Sequence, residues 1–285
     1  MPITPEDLGY GFGIPALAAM LAMVILRRIP PLEFARKYAP TVGLVLGFEL
    51  GYWLLGLGEL KVRPHFHWLP IAMVVVGVIN IGVESTGASA LDRLLTYVVV
   101  TLICGWFLVP TYKDLPFPWR ESLAAWTAMV VILSLAFRPL VNRCPGTLLP
   151  AIYFVMAGCA AIVLLVSGSM ERAQTAVAVA GAFLGLCLAS LFDSKSQQLD
   201  GITFPTVFFF CSIMMIAQTN SFSQIPVPAY YLLPFAPVGL WLAGTNKSTG
   251  FIGGLLKFLV PVLICLAAVG WALYVERPWE MMESV

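Results

Sequence analysis

Residues Trp68–Trp106 read WLPIAMVVVGVINIGVESTGASALDRLLTYVVVTLICGW, and residues Phe204–Trp241 read FPTVFFFCSIMMIAQTNSFSQIPVPAYYLLPFAPVGLW. Both follow one plan: a proline opens an apolar run, a polar elbow interrupts it, a second apolar run follows and a tryptophan closes it. Pro70 and Pro205 are 135 residues apart, as are Trp106 and Trp241. Pro15 and Pro150 share that offset, and each is followed by alanine. The apolar spans recur at about the same spacing, so the chain reads as two copies of one unit. The expected division is 1–140 for the first five-helix repeat and 141–285 for the second, forming one membrane domain with no soluble domain.

Composition sets the solvent. The 285 residues are 60% hydrophobic and 11% charged, with a mean hydropathy of +0.90. Soluble domains carry roughly 25% charged residues. Apolar surface on that scale needs lipid around it, which makes the bilayer the first partner. A net charge of +1 excludes a nucleic-acid-binding field. The six cysteines are scattered without a CxxC pair and read as small apolar packing residues. The N-terminal MPITPEDL lacks a basic leader region, and Thr4-Pro5-Glu6-Asp7 has the chemistry of a helix start.

The expected fold is all-α, a polytopic helical bundle of about ten transmembrane helices in two inverted five-helix repeats. A spanning helix needs about 20 mostly apolar residues. Ten stretches qualify, near 9–26, 39–57, 68–85, 91–110, 121–137, 147–167, 175–193, 202–219, 228–244 and 250–274. Several are short or proline-broken, which leaves nine as the alternative count. Pro30–Tyr38 reads as a separate interfacial turn. The first alternate set of connections holds nine basic residues, Arg27, Arg28, Arg36 and Lys37 among them, against six on the other side. The excess places both termini outside a bacterial inner membrane or an equivalent bilayer. Five spans per copy is an odd number, so the second copy enters from the opposite face. Inverted copies of this kind meet near mid-membrane and rock to expose a site to each side in turn.

Ten spans, about 285 residues and a five-plus-five repeat resemble the drug/metabolite transporter superfamily. The elbows ESTGASALDRLL and QTNSFSQIPVPAYYLL are similar to that superfamily's polar, small-residue turn. The resemblance covers architecture and implies secondary transport; it carries over no functional residue. The inferred orientation is opposite to that superfamily's usual one. Bile-acid/sodium symporters and auxin-type carriers share the span count.

Six residues are candidates for binding a substrate or ion: Glu49, Asn80, Glu84, Gln218, Asn220 and Lys257. Glu49 sits midway along the second span, where a carboxylate costs about 2.5–3.5 kcal/mol. It reads as a coupling-ion or proton site, or as an acid bonded to a neighbouring helix. Lys257 either snorkels to the interface or turns inward to pair with Glu49 or an anion. Asn80 and Glu84 line the first elbow, Gln218 and Asn220 the second. Oxygen-rich broken backbone suits sodium or a polar solute, and the same residues cap ordinary helix ends.

Other features carry less. His65 and His67 form an HxH pair whose side chains diverge, a poor metal site. Asp193 and Asp200 are seven apart, unlike the acidic motifs of membrane prenyltransferases. No nucleotide-binding motif stands in the chain. Pro205, Pro234, Pro237 and Pro261 lie inside spans, where each removes a backbone bond that lipid cannot replace. Gly43, Gly47 and Gly51 share one face of the second span, and with Gly181 and Gly185 form seams for close helix contact. The expected function is a secondary transporter of a small solute or ion, with no catalytic residues, metal or cofactor. The alternatives are an intramembrane lipid-modifying enzyme and a non-catalytic subunit or scaffold of a membrane assembly.

Overall fold

Described in the computed structural model are residues 8–28, 33–57, 65–111, 118–144, 146–192, 201–221, 223–242 and 251–277, with backbone alone at 33–37, 142–143 and 251–253. The Thr4–Asp7 helix start and the Asp193 and Asp200 loop lie outside the described residues. Among the described residues every regular element is helical. A π-helical turn, Gly9–Gly13, leads into α1 (Ile14–Arg28), followed by α2 (Glu33–Leu54). A 3₁₀ turn, Phe66–Trp68, precedes α3 (Leu69–Ser85); then come α4 (Ala90–Leu108), α5 (Trp119–Arg143), α6 (Leu148–Val166) and α7 (Met170–Phe192). The last elements are α8 (Thr203–Asn220), α9 (Val227–Phe235), α10 (Val238–Leu242) and α11 (Phe251–Glu276).

Seven of the described helical stretches are long and apolar enough to cross a bilayer: Gly9–Arg28, Phe66–Ser85, Ala90–Leu108, Trp119–Val141, Leu148–Val166, Met170–Leu191 and Gly254–Glu276. They mark an integral, multi-pass membrane protein. Leu17, Leu21 and Ile25 of α1 and Leu255, Leu259, Leu263 and Leu266 of α11 point outward, as a lipid-facing perimeter requires.

Local chemistry sets the helix limits. Pro70, Pro150 and Pro205 fall in a first turn, where the missing N–H has no intrahelical partner to lose, whereas Pro15 follows the π-helical turn without a break. For Pro205 this corrects the expectation of a broken backbone bond, because α8 begins only two residues before it. Glu33 already belongs to α2, so the second half of Pro30–Tyr38 is the opening of that helix rather than a separate turn. Ser89 caps α4 by accepting the Asp92 N–H at 3.2 Å. The ninth apolar stretch, 228–244, does break. Pro237 cannot donate to Leu233, so the Ala236 N–H takes that carbonyl at 3.0 Å and a tighter turn separates α9 from α10.

Small residues decide how closely the helices approach. α2 crosses α7 through three glycines. A methyl group on Gly43 would lie 3.0 Å from a Leu186 methyl, on Gly47 2.9 Å from Ala182 Cβ, and on Gly51 2.7 Å from Ala178 Cβ. The register runs backwards along α7, so the two helices are antiparallel. α1 and the π-helical turn before it wedge against both: Gly47 faces Pro15 O at 2.8 Å, while Gly181 and Gly185 of α7 press on the carbonyls of Phe12 and Ala16.

The centre of the bundle is α8. Every residue from Thr203 to Ala217 is buried, so this helix touches neither lipid nor water along most of its length. Its phenylalanines reach outward like spokes. Phe204 stacks on Tyr97 of α4 at 3.9 Å, Phe208 meets Trp126 of α5 edge-on at 5.6 Å, Phe209 meets Phe48 of α2 at 5.5 Å, and Phe210 lies parallel to Phe183 of α7 at 6.4 Å.

Gly47→Ala should lower stability by about 1–3 kcal/mol, because its methyl meets the Pro15 backbone as well as Ala182. Gly270→Ala on α11 has nothing within 4 Å and should be close to neutral. The midpoint of heat-induced loss of monodisperse protein in detergent reads the difference.

Candidate functional site

The two ends of α8 are where polar groups gather. At its N-terminal end, Asn80 of α3 is 1% exposed and uses both halves of its carboxamide. Its Nδ2 donates to Gly201 O at 2.5 Å, and its Oδ1 accepts the Tyr97 hydroxyl at 2.8 Å. One side chain thus ties α3 to the chain entering α8 and to α4. Gly201 adopts a left-handed φ of +83°, and a methyl there would lie 2.9 Å from Thr41 Oγ1 and 3.1 Å from Asn80 Nδ2. Only glycine fits that turn.

One helical turn beyond Asn80 stands Glu84, and one turn before Tyr97 stands Arg93. The spacing i, i+4 on each helix puts both pairs on facing sides of the α3–α4 hairpin. Arg93 Nε lies 3.2 Å from Glu84 Oε1, with both side chains 9% exposed. Arg138, near the end of α5, grips the same carboxylate in two parallel bonds: Nε to Oε1 and Nη2 to Oε2, each 3.0 Å. Its side chain is 46% exposed. Glu84 and Arg93 therefore form a buried pair, and Arg138 closes over it from a third helix. A cavity of about 190 Å³ opens beside this cluster, lined by Asn80, Glu84, Tyr97, Ser134, Arg138, Thr203 and Phe204 among others.

A second cavity, about 270 Å³, lies at the other end of α8. Trp126, Met129 and Ser122 of α5, Met215, Gln218 and Thr219 of α8, and Tyr231 of α9 line it. The Tyr231 hydroxyl donates to Gln218 Oε1 over a long 3.5 Å. Between the two cavities stand aromatic rings: Phe204 borders the first, Trp126 the second, and Phe208 touches both rings, at 6.4 and 5.6 Å.

The six candidate residues divide accordingly. Asn80 and Glu84 come together at the first cavity and Gln218 lines the second. Asn220 bonds back to Ile216 O at 2.8 Å, as a helix-end residue does. Glu49 lies in the last third of α2 with Trp53 beside it one turn on, and its Oε1 is buried without a hydrogen-bond partner. Lys257 is near Cys144, which follows the end of α5. Neither Glu49 nor Lys257 lines either of these two cavities. Arg93, Tyr97, Ser134 and Arg138 were not singled out from sequence; the matched four-residue spacings of Asn80/Glu84 and Arg93/Tyr97 across a short elbow were the available signal.

His65 and His67 go separate ways, the first to Phe107 O at 3.1 Å and the second to the Tyr52 hydroxyl at 3.2 Å. Among the described residues, no group of three or more His, Cys, Asp and Glu side chains could hold a metal ion. Comparison with protein-family models, with characterised proteins and with solved structures gives no match.

Removing the carboxylate strands Arg93 in a buried place. Glu84→Ala should cost about 3–5 kcal/mol, whereas Arg138→Ala, on a half-exposed group, should cost under about 1 kcal/mol. Thermal midpoints of the two purified variants give the comparison.

Proposed function

We propose that the protein is a secondary transporter of a small solute, built from ten membrane helices in two inverted repeats, 1–140 and 141–285. The observation that carries this reading is the crossing of α2 and α7. Gly47 and Ala182, which touch, are 135 residues apart, the offset that relates the two halves of the sequence. Gly51 touches Ala178 and Gly43 touches Leu186. The counterpart of Gly43 at that offset is Ala178, and that of Gly51 is Leu186. Each residue thus meets its partner's counterpart, the reciprocal pattern of a two-fold axis through Gly47 and Ala182. Antiparallel helices put that axis in the membrane plane.

Other features support the duplication. Helix starts pair at Ile14 and Leu148, Glu33 and Met170, Leu69 and Thr203, Ala90 and Val227, and Trp119 and Phe251, with offsets of 132 to 137 residues. A tyrosine bonds an amide in each half, Tyr97 to Asn80 and Tyr231 to Gln218. Architectural resemblance to the drug/metabolite transporter superfamily fits the same scheme. The two cavities supply the ends of a path along α5 and α8, with Phe204, Phe208 and Trp126 closing its middle. Rocking about the α2–α7 crossing would open one end while the other shuts. The excess of Lys and Arg puts the Glu84 end on the cytoplasmic side, with both termini outside.

Purified protein in liposomes, screened with small solutes under proton, sodium and counterflow conditions, tests the reading. Saturable uptake of at least one solute is expected, and Ser134→Trp, which fills the 190 Å³ cavity, should cut it about tenfold or more. Absence of uptake under every condition would favour a scaffold instead.

A further inference from the structure

We propose that the cavity at Asn80, Glu84 and Arg138 binds a small carboxylate, which takes the place of Glu84 on Arg138. The inference deepens the transport reading and rests on it for its role, though the site itself can be tested alone. Three observations converge on this class of ligand.

The first is the geometry already in place. Arg138 holds the Glu84 carboxylate through two parallel N–H···O bonds of 3.0 Å, the arrangement by which guanidinium recognises free carboxylates. Glu84 is a tethered stand-in for the ligand. The second is what remains when the stand-in leaves. Arg93 stays 3.2 Å from Glu84 Oε1 on the buried side, so Glu84 keeps a cationic partner and the incoming anion gains Arg138. The exchange leaves no buried charge unpaired, which is what makes it feasible in a site of low dielectric. A cation entering the same place would face two guanidiniums and must displace one of them from Glu84. The third is size. An engineered cavity of about 150 Å³ holds benzene, so 190 Å³ suits a solute of about four to eight non-hydrogen atoms. Asn80, Ser134 and Thr203 provide polar wall around it.

The exchange has a structural consequence. The Arg138–Glu84 bonds tie the end of α5 to the end of α3. A carboxylate that takes Arg138 releases that tie, so occupancy and opening of this end of the bundle become one event. Among the residues involved, Arg138 is the one able to move, being half-exposed where Glu84 and Arg93 are buried.

Binding to purified protein in detergent tests the site, with acetate, lactate and succinate as carboxylates, succinamide as a neutral isostere of succinate, and butane-1,4-diamine as a cation. At least one carboxylate should bind, with succinamide and the diamine at least tenfold weaker. Arg138→Gln should weaken the carboxylate about tenfold or more, Arg138→Lys less, and Glu84→Gln should strengthen it by removing the carboxylate that competes for Arg138. Ser134→Phe, which fills the cavity without touching the charges, should also abolish binding and stands in if an Arg138 variant is not monodisperse. Equal binding of succinamide, no binding by any of the three carboxylates, or affinity unchanged in Arg138→Gln and Ser134→Phe overturns the inference. Liposome flux separates the two readings. Carboxylate binding without flux removes transport and keeps the site, whereas flux of a neutral or cationic solute without carboxylate binding keeps transport and removes the site.

Discussion

Lipid gives helices little reason to associate except the quality of their contact, and here that contact is made by residues without side chains to spare. Gly43, Gly47 and Gly51 let α2 lie directly on α7, and Gly181 and Gly185 let the carbonyls of Phe12 and Ala16, in and just after the π-helical turn, lie on an adjoining face of α7. At that distance dispersion contacts are dense enough to hold a three-helix unit in a solvent as apolar as its own surface. The rest of the bundle is arranged from it. Phe48 of α2 and Phe183 of α7 reach from this unit onto Phe209 and Phe210, so the same crossing helps fix α8 at the centre.

Burying α8 has a cost at its ends, where polar backbone and polar side chains must find partners without water. The chain answers with Asn80, whose carboxamide bonds both Gly201 and Tyr97, and with the hydroxyl of Tyr231 against Gln218. Charge is admitted at one of these places. Glu84 is tolerable because two guanidiniums from different helices surround it; the pair with Arg93 is sealed and the pair with Arg138 reaches the cavity. Glu49 shows the contrast. It carries no such partners at Oε1, and it does not line either of the two cavities beside α8.

Much of this is legible in the sequence. Hydrophobic runs located the helices with ends off by up to six residues, and the proline pair in AYYLLPFAPVGLW marked the break between α9 and α10, because a missing N–H acts locally and leaves its signature in the sequence. The glycine faces of α2 and α7 were readable for the same reason: spacing along one helix fixes which residues share a side. What spacing cannot give is which helix a face meets. Arg138 is 54 residues from Glu84, and nothing in either segment announces the other. Lys257, which the sequence leaves between the interface and an inward pairing, lies near Cys144. Pro205 looked disruptive only because the start of α8 was not known to the residue. The centrality of α8 was hidden as well: FPTVFFFCSIMMIAQTN is no more apolar than its neighbours, and its burial follows from where other helices place themselves.

Paired-cysteine cross-linking in a background lacking the six native cysteines measures the α2–α7 crossing directly. Oxidation should join Gly43→Cys to Leu186→Cys and Gly51→Cys to Ala178→Cys, and should leave Gly43→Cys with Ala178→Cys and Gly51→Cys with Leu186→Cys unlinked. The reverse pattern would mean that α2 and α7 run parallel, and two inverted halves meeting at Gly47 and Ala182 could not then be the basis of the fold.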